Sequence, residues 1–335
     1  LYGAVGTVTG SSISFGSLLN INPADSYNGT AVYDASADNV VIAYSDGGSS
    51  YFGACRVTTI SGTTLSVGSI TYLSSSGSAE STISAAYDSS NNACVFVYRR
   101  GDNNFGYATV ATVSGTAVTV GTSTQFANAT AQYNRITFDE SEGRFLIVYN
   151  ESSNTKARSA IVSGTTITMG TEYILASGNS TQLDVAYDSL AQKHLVIFRD
   201  PTTGHGSRIT VTVSGTSLTY GSPLIFHTAS AIFPSAVYDG KSIGAIMSNG
   251  SVTSGYVFSY AETDLTSQNY IGISDGAYAI SDTANIQIVG SVDDAQSGLT
   301  AGLAYYVQDD GSISTNVSDV FAGTAVSSTK IIVKG

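Results

Sequence analysis

Apolar and polar residues alternate in short runs along the chain, and the runs end in Gly, Ser, Asp or Asn. That pattern predicts many short β-strands joined by tight turns, with little helix. The runs also recur. The phrase Thr9-Gly10-Ser11-Ser12-Ile13-Ser14-Phe15-Gly16-Ser17 returns as Ser61-Gly62-Thr63-Thr64-Leu65-Ser66-Val67-Gly68-Ser69, then around Gly115, Gly164 and Gly215, with these turn glycines 52, 53, 49 and 51 residues apart. An aromatic residue followed by Asp closes a strand at Tyr33-Asp34, Tyr87-Asp88, Phe138-Asp139, Tyr187-Asp188 and Tyr238-Asp239, spaced 54, 51, 49 and 51 residues apart. Two markers with one period describe five copies of a supersecondary unit of about 50 residues.

In the first full copy, strand A is expected at Thr30 to Tyr33, B at Val40 to Tyr44, C at Tyr51 to Thr58 and D at Thr64 to Tyr72. Four strands per unit of this length predict an all-β fold, a β-propeller of about five four-stranded blades over residues 1–261. No kelch or WD signature is present, so the architecture is inferred from spacing alone. The aspartates are expected to cap A to B turns through the backbone, with the aromatic wedged between blades, and the Ser-Gly-Thr glycines to supply the positive φ of hairpins. After Tyr238-Asp239 the fifth copy gives B (Ile243 to Met247) and C (Gly255 to Tyr260) but no clear D. Closure is therefore expected by Ile13 to Leu18 completing the last blade, with Leu1 to Val8 left as a surplus strand. Leu1 stands inside a strand-like pattern, which implies processing or an upstream segment.

From Glu262 to Gly335 the period is lost, and alternating strands with Asp-Gly and Ser-Gly turns predict a small β barrel or sandwich. Gly298 to Val307 (Gly-Leu-Thr-Ala-Gly-Leu-Ala-Tyr-Tyr-Val), the Asp310-Gly311 turn and Ala322 to Ser327 (Ala-Gly-Thr-Ala-Val-Ser) carry a recognisable pattern. This stretch resembles a C-terminal module of bacteriophage fibre-like virion proteins, in particular those of marine and cyanobacterial phages. The resemblance implies a docking or assembly module on a virion and assigns no catalytic residue.

Composition narrows the choice further. With 13 Lys plus Arg against 25 Asp plus Glu the net charge is -12, which disfavours nucleic acid. No apolar run is long enough for a membrane-spanning helix. Cys55 and Cys94 sit inside apolar strands and read as small core residues, a disulfide between neighbouring units being the other reading. They and the scattered His194, His205 and His227 form no metal-site spacing, and no cofactor motif is present. No nucleophile, base and acid come together in the pattern, so a non-enzyme is expected. The six Asn-x-Ser/Thr triplets are read as chance in a Ser/Thr-rich chain.

Propeller geometry puts the D to A and B to C connections on one face, and here these vary while the other turns repeat, as recognition loops do on a rigid scaffold. They carry the candidate receptor-face residues Tyr27, Arg99, Arg100, Asp102, Asn103, Tyr133, Asn134, Arg135, Arg199, Asp200, His205, His227 and Phe233. The expected function is that of a virion structural protein of a phage tail fibre, knob or decoration, serving assembly or host attachment at the virion surface or outside the cell. Its partners would be other virion or fibre subunits, further copies of itself, and a host glycan or protein. Two alternatives are a self-assembling extracellular fibre subunit and a glycan-binding propeller lectin; absence of Trp weakens the last, and 21 Tyr partly compensate.

Overall fold

The computed structural model describes residues 1–74, 81–178, 180, 182–248, 253–258, 270, 272–276, 283, 285–308, 312–318 and 320–334. The chain divides into two compact units, Leu1–Ser259 and Tyr260–Gly335. Among the described residues every regular element is a β-strand, apart from one 3-10 turn at Gly47–Ser49.

In the first unit each repeat becomes an antiparallel sheet in the order A-B-C-D. Sheet I comprises Ser26–Asp34, Asn39–Asp46, Phe52–Ser61 and Thr64–Val67. Sheet II comprises Ser81–Asp88, Ala93–Arg99, Gly106–Ser114 and Ala117–Val120. Sheet III comprises Gln132–Asp139, Arg144–Glu151, Asn154–Ser163 and Thr166–Ser177. Sheet IV comprises Leu183–Asp188, Lys193–Arg199, Gly206–Ser214 and Ser217–Tyr220. Among the described residues sheet V shows A, B and C, at Ile232–Tyr238, Ile243–Ser248 and Thr253–Phe258.

Strand B explains why the sheets stack. Its residues are apolar on both faces, so Cys94, Phe96 and Tyr98 pack toward sheet I while Val95 and Val97 pack toward sheet III. At one repeat position Tyr44, Tyr98, Tyr149, Phe198 and Met247 are all fully buried, each contributing roughly 1.5–3 kcal/mol. Cys55 and Cys94 lie in the core between sheets I and II as free thiols, and burial pushes both up to about 12. The expected core role holds, and the disulfide alternative does not.

The turns follow the sequence pattern closely. The carboxylates of Asp34, Asp88, Asp139, Asp188 and Asp239 each accept two backbone N–H groups, from the residues two and three positions on, at 2.8–3.1 Å. Tyr87 accepts a hydrogen bond from the backbone of Ser36 in sheet I, and Tyr187 donates to Ser141 in sheet III, so the aromatic does bridge neighbouring sheets.

Strand D departs from the expected single strand. In sheets I, II and IV it breaks after Val67, Val120 and Tyr220 and resumes at Thr71–Tyr72, Thr124–Ala127 and Leu224–His227, pairing again with C. At each break a glycine N–H bonds strand C, Gly68 to Val57, Gly121 to Val110 and Gly221 to Thr210, at 2.8, 2.8 and 3.2 Å. The glycine is required because the next sheet's C to D turn presses on it: a Cβ on Gly68 or Gly121 would lie 2.1 or 2.0 Å from the carbonyl oxygen of Thr116 or Thr165.

The N-terminal segment shares this design. Tyr2–Gly3 and Gly6–Thr9 pair with Leu19–Asn20 and Ser12–Phe15, Gly16 bonds Val5 at 2.8 Å, and a Cβ on Gly16 would lie 2.0 Å from the Thr63 carbonyl oxygen of sheet I. It is therefore a complete C–D half-sheet seated beside sheet I, and Leu1 to Val8 is its C strand rather than a surplus one. The structure departs from the expected closure: among the described residues Ser12–Phe15 pairs with Gly6–Thr9 and does not join Thr253–Phe258 of sheet V as its D strand.

Successive four-stranded meanders, with their A strands packed side by side, form a β-propeller arrangement. The second unit holds a five-stranded sheet in the order Val292–Asp293, Ile331–Val333, Phe321–Ala325, Ala304–Val307, Ile313–Ser314, over a core of Leu299, Tyr305, Val307, Val320, Ala322 and Ile331. The segments Gly298 to Val307 and Ala322 to Ser327 thus supply its core and central strands, while Asp310-Gly311 lies outside the described residues.

One buried group breaks the apolar pattern. His194 takes the place that Cys94 and Phe145 hold in sheets II and III; it is fully buried, with Nε2 3.5 Å from Asp139 Oδ2 in sheet III. Desolvation pulls its pKa below 6.5, so the imidazole is neutral. Burial alone would raise Asp139, but the adjacent His194 ring and the hydrogen bond from Ser141 Oγ bring it to about 2.

Two outcomes are expected. Gly121→Ala should cost about 1–3 kcal/mol through overlap with Thr165, whereas Gly221→Ala, with no atom within 4 Å of the added methyl, should melt like the parent. Because the folded chain protonates His194 less readily than the unfolded chain, stability should be full above pH 6.5 and fall as the pH drops below it. His194→Phe should flatten that limb of a melting-temperature versus pH curve and, by removing the group that does most to lower Asp139, also weaken the acid limb that Asp139 contributes between 3.8 and about 2.

Candidate functional site

Asn28, Thr82, Tyr133, Gln182 and Phe233 have φ values of 53°, 52°, 53°, 69° and 52°. They fall at one point of strand A in all five sheets. In sheets I, II, III and V the A–B register slips there, between Tyr27 and Thr30, Ser81 and Ser84, Gln132 and Arg135, and Ile232 and Ser235. In sheet IV the ladder begins just beyond it, at Leu183. A bulge with a left-handed residue re-aims side chains at the cost of backbone strain, about 1–3 kcal/mol for a residue other than Gly. Of the five only Asn readily takes this conformation.

The bulges surround one cavity of about 660 Å³, with walls drawn from all five A strands: Asn28 to Thr30, Thr82 to Ser84, Tyr133 and Arg135, Gln182 to Asp184, and Phe233 to Ser235. Because Ser26 pairs with Asp46, and Gln132 with Asn150, the starts of the A strands share an end with the B to C connections. The cavity thus lies on the face expected to carry recognition.

Polar bonds between sheets fix the wall. Asn134 is buried and donates through Nδ2 to Thr82 Oγ1 at 2.9 Å. Arg135 donates from Nε to Asp184 Oδ1 at 3.1 Å and from Nη1 to the Asn134 carbonyl at 2.9 Å. Asp184 Oδ2 accepts the Ala236 N–H at 2.8 Å, and Gln182 Oε1 accepts the Phe233 N–H at 2.5 Å. Burial raises the Asp184 carboxyl above 3.8 despite the Ala236 and Arg135 bonds. Phe233 remains 68% exposed, presenting its ring at the mouth.

The other predicted residues are placed elsewhere on this end of the unit. Tyr27 packs on Tyr51 with ring centroids 5.6 Å apart. Arg99 closes strand B of sheet II opposite Gly106, and Arg199 does so in sheet IV opposite Gly206. Arg100 pairs with Asp102 and lies over the Tyr107 ring, 4.6 Å from its centroid, while Asn103 Nδ2 donates to the Tyr107 hydroxyl at 3.0 Å. Asp200 shapes its own loop by accepting the N–H groups of Thr202 and Thr203, and the His205 N–H donates to Thr203 Oγ1. His227 is buried, with Nδ1 2.5 Å from the Tyr256 hydroxyl, and braces sheet V rather than facing solvent. Arg100 also borders a second cavity, of about 1120 Å³, between sheets I and II beside Phe52 and Tyr72.

Of the predicted set, then, Tyr133, Arg135 and Phe233 meet in the axial cavity, with Asn134 behind them. Asn28, Thr82, Gln182 and Asp184 were not foreseen. A signal existed: three of them lie one or more periods from Tyr133, but their side chains share no chemistry with it.

No family model matches the chain, and no curated protein matches it. Among solved structures, AofleA from Arthrobotrys oligospora is similar at 13% identity and a TM-score of 0.51, over 74% of this chain and 73% of that one. The likeness is one of fold. Weaker resemblances link the chain to an exo-β-1,3-galactanase from Phanerochaete chrysosporium (8% identity, TM-score 0.45, 84% and 72% covered) and to the six-bladed β-propeller fucose-recognising lectin of Aleuria aurantia (14%, 0.44, 74% and 84%). At those scores they carry no argument.

If the strained positions are kept for what they present, relieving one should stabilise the fold while harming recognition. Phe233→Asn, which retains the N–H held by Gln182, should raise unfolding free energy by about 1 kcal/mol, measured by denaturant titration.

Proposed function

We propose that the first unit is a five-bladed propeller that binds saccharides, without transforming them, at the mouth of its axial cavity. The observation that carries this reading is the ring of five unlike side chains held at equivalent strained positions around one cavity. Amide, hydroxyl and guanidinium groups there can meet sugar hydroxyls, and the rings of Tyr133 and Phe233 offer apolar surfaces to a pyranose face. The lining supports binding over hydrolysis. Glycosidases work with two carboxyl groups flanking the scissile bond, whereas among the described residues Asp184 is the single carboxylate lining the cavity, with a hydrogen bond to each oxygen.

In this reading the second unit is a small β module that docks the propeller to other subunits. Its phage-like sequence pattern supports a virion surface, in host attachment, as the setting, with an extracellular fibre as the alternative.

Screening the labelled protein on a glycan array tests the reading. Binding to a restricted set of glycans is expected, reduced at least about tenfold by Tyr133→Ala combined with Phe233→Ala while the fold persists. Failure to bind any glycan, or release of free sugar from bound ones, would overturn it.

A further inference from the structure

The A strands pack side by side from sheet I to sheet V, whereas among the described residues no such packing joins sheet V to sheet I. The faces that meet this opening are apolar and uncovered. On sheet V they carry Val237, Ile246 and Val257, all exposed. At the places of Ile246 and Val257, sheet II has Val97 and Val110, both fully buried against sheet III. On sheet I, Ala31 and Tyr33 are exposed, while Ile136 and Phe138 hold the same places in sheet III and are buried against sheet II.

The N-terminal half-sheet supplies the rim of the opening. It covers sheet I on the side away from sheet II, where Ile21 packs with Tyr44 and Ala54. Its strand Gly6–Thr9 pairs, among the described residues, with Ser12–Phe15 alone. The other edge of a C strand is the one that strand B takes in each of sheets I to V. Tyr33 marks the place of a turn. The hydroxyl of Tyr87, its counterpart, donates to Asn92 in its own turn and accepts the Ser36 N–H from the A to B turn of the preceding sheet, at 3.1 Å each. The Tyr33 hydroxyl donates to Asp38 in its own turn at 2.8 Å and, among the described residues, accepts no donor.

We infer that this opening receives a β-hairpin carried by another protein, which adds to Gly6–Thr9 in the places of strands A and B and completes the half-sheet as a sixth blade. The uncovered faces say what the hairpin must bring: a second strand apolar on both sides, as strand B is elsewhere, and a turn N–H for Tyr33. A second copy of the chain has no such hairpin to give, because each of its own A–B pairs is held in its own sheet. The inference stands apart from the saccharide reading, and its test uses no sugar.

The probe is a synthetic peptide of Gln132–Glu151, the A–B pair of sheet III, titrated into the whole protein by fluorescence anisotropy beside a scrambled peptide of the same composition. Saturable binding at least about tenfold tighter than that of the scrambled peptide is expected, with slowed amide hydrogen exchange in Gly6–Thr9. Val257→Lys, a change at an exposed position, should weaken binding by about tenfold or more while keeping the parent melting temperature. No binding, equal binding of the scrambled peptide, or binding that leaves exchange in Gly6–Thr9 unchanged would overturn the inference. So would a parent protein that is dimeric and turns monomeric in Val257→Lys, since a second copy would then cover this face. The exchange measurement on the parent protein decides the matter even if the variant does not fold.

Discussion

Sheets that are apolar on both faces cannot stand alone, and the first unit is organised by that constraint. Strand B in sheets II, III and IV is buried on both sides, so each sheet is stable only between two others. Everything else keeps the sheets at contact distance. Glycine at the break in strand D of sheets I and II admits the neighbouring turn, the aspartate caps hold the turns in shape, and Tyr87 and Tyr187, each before its aspartate, reach across to the preceding sheet. Where the succession stops, the same faces are left uncovered: Val237 and Val257 of sheet V are 66% and 75% exposed, as is Phe15 of the N-terminal half-sheet at 70%.

Charge is used sparingly and mostly as fastening. In sheet III the buried Glu151 accepts the N–H groups of Asn128 and Ala129, both at 2.7 Å, and receives Lys156 Nζ at 2.5 Å. Glu172 takes Lys156, Arg158 and the Tyr149 hydroxyl in turn. Burial would push the Lys156 ammonium down, yet its bonds to Glu151 and Glu172 hold it above 10.5. Such a network pins the chain leaving sheet II to sheet III. Losing one member leaves buried charge behind, a penalty of about 3–5 kcal/mol. Arg135 and Asp184 play the same part at the axis, between sheets III and IV.

The period, the turn aspartates and the strand order were legible in the sequence because each depends on residues whose chemistry repeats: Asp for the cap, Gly for the hairpin, an aromatic for the wedge. The left-handed ring was not legible for the opposite reason. Asn28, Thr82, Tyr133, Gln182 and Phe233 have a backbone state in common and no side-chain property, so only counting periods from a known member would have revealed them. Closure misled for a third reason. Tyr2 to Asn20 does carry the C–D phase, as its Gly16 indicates, but phase names a place in the repeat without naming the partner, and Ser12–Phe15 pairs with Gly6–Thr9 rather than with Thr253–Phe258. His227 was read as a loop residue because nothing local marks its partner, Tyr256, on another strand of the structure.

The separation of rim from hub bears on how such a protein can change over generations. Spacing between sheets depends on the rim glycines Gly16, Gly68 and Gly121, which admit no side chain, and on the aspartate caps. At the hub the demand common to the five sites is a backbone conformation, already held by five dissimilar residues. Substitution there leaves the rim contacts untouched, so the hub can drift one residue at a time while the scaffold is conserved. Five such sites, coupled where Gln182 holds the Phe233 N–H and Thr82 receives Asn134, let point mutation re-line the cavity without disturbing the sheets.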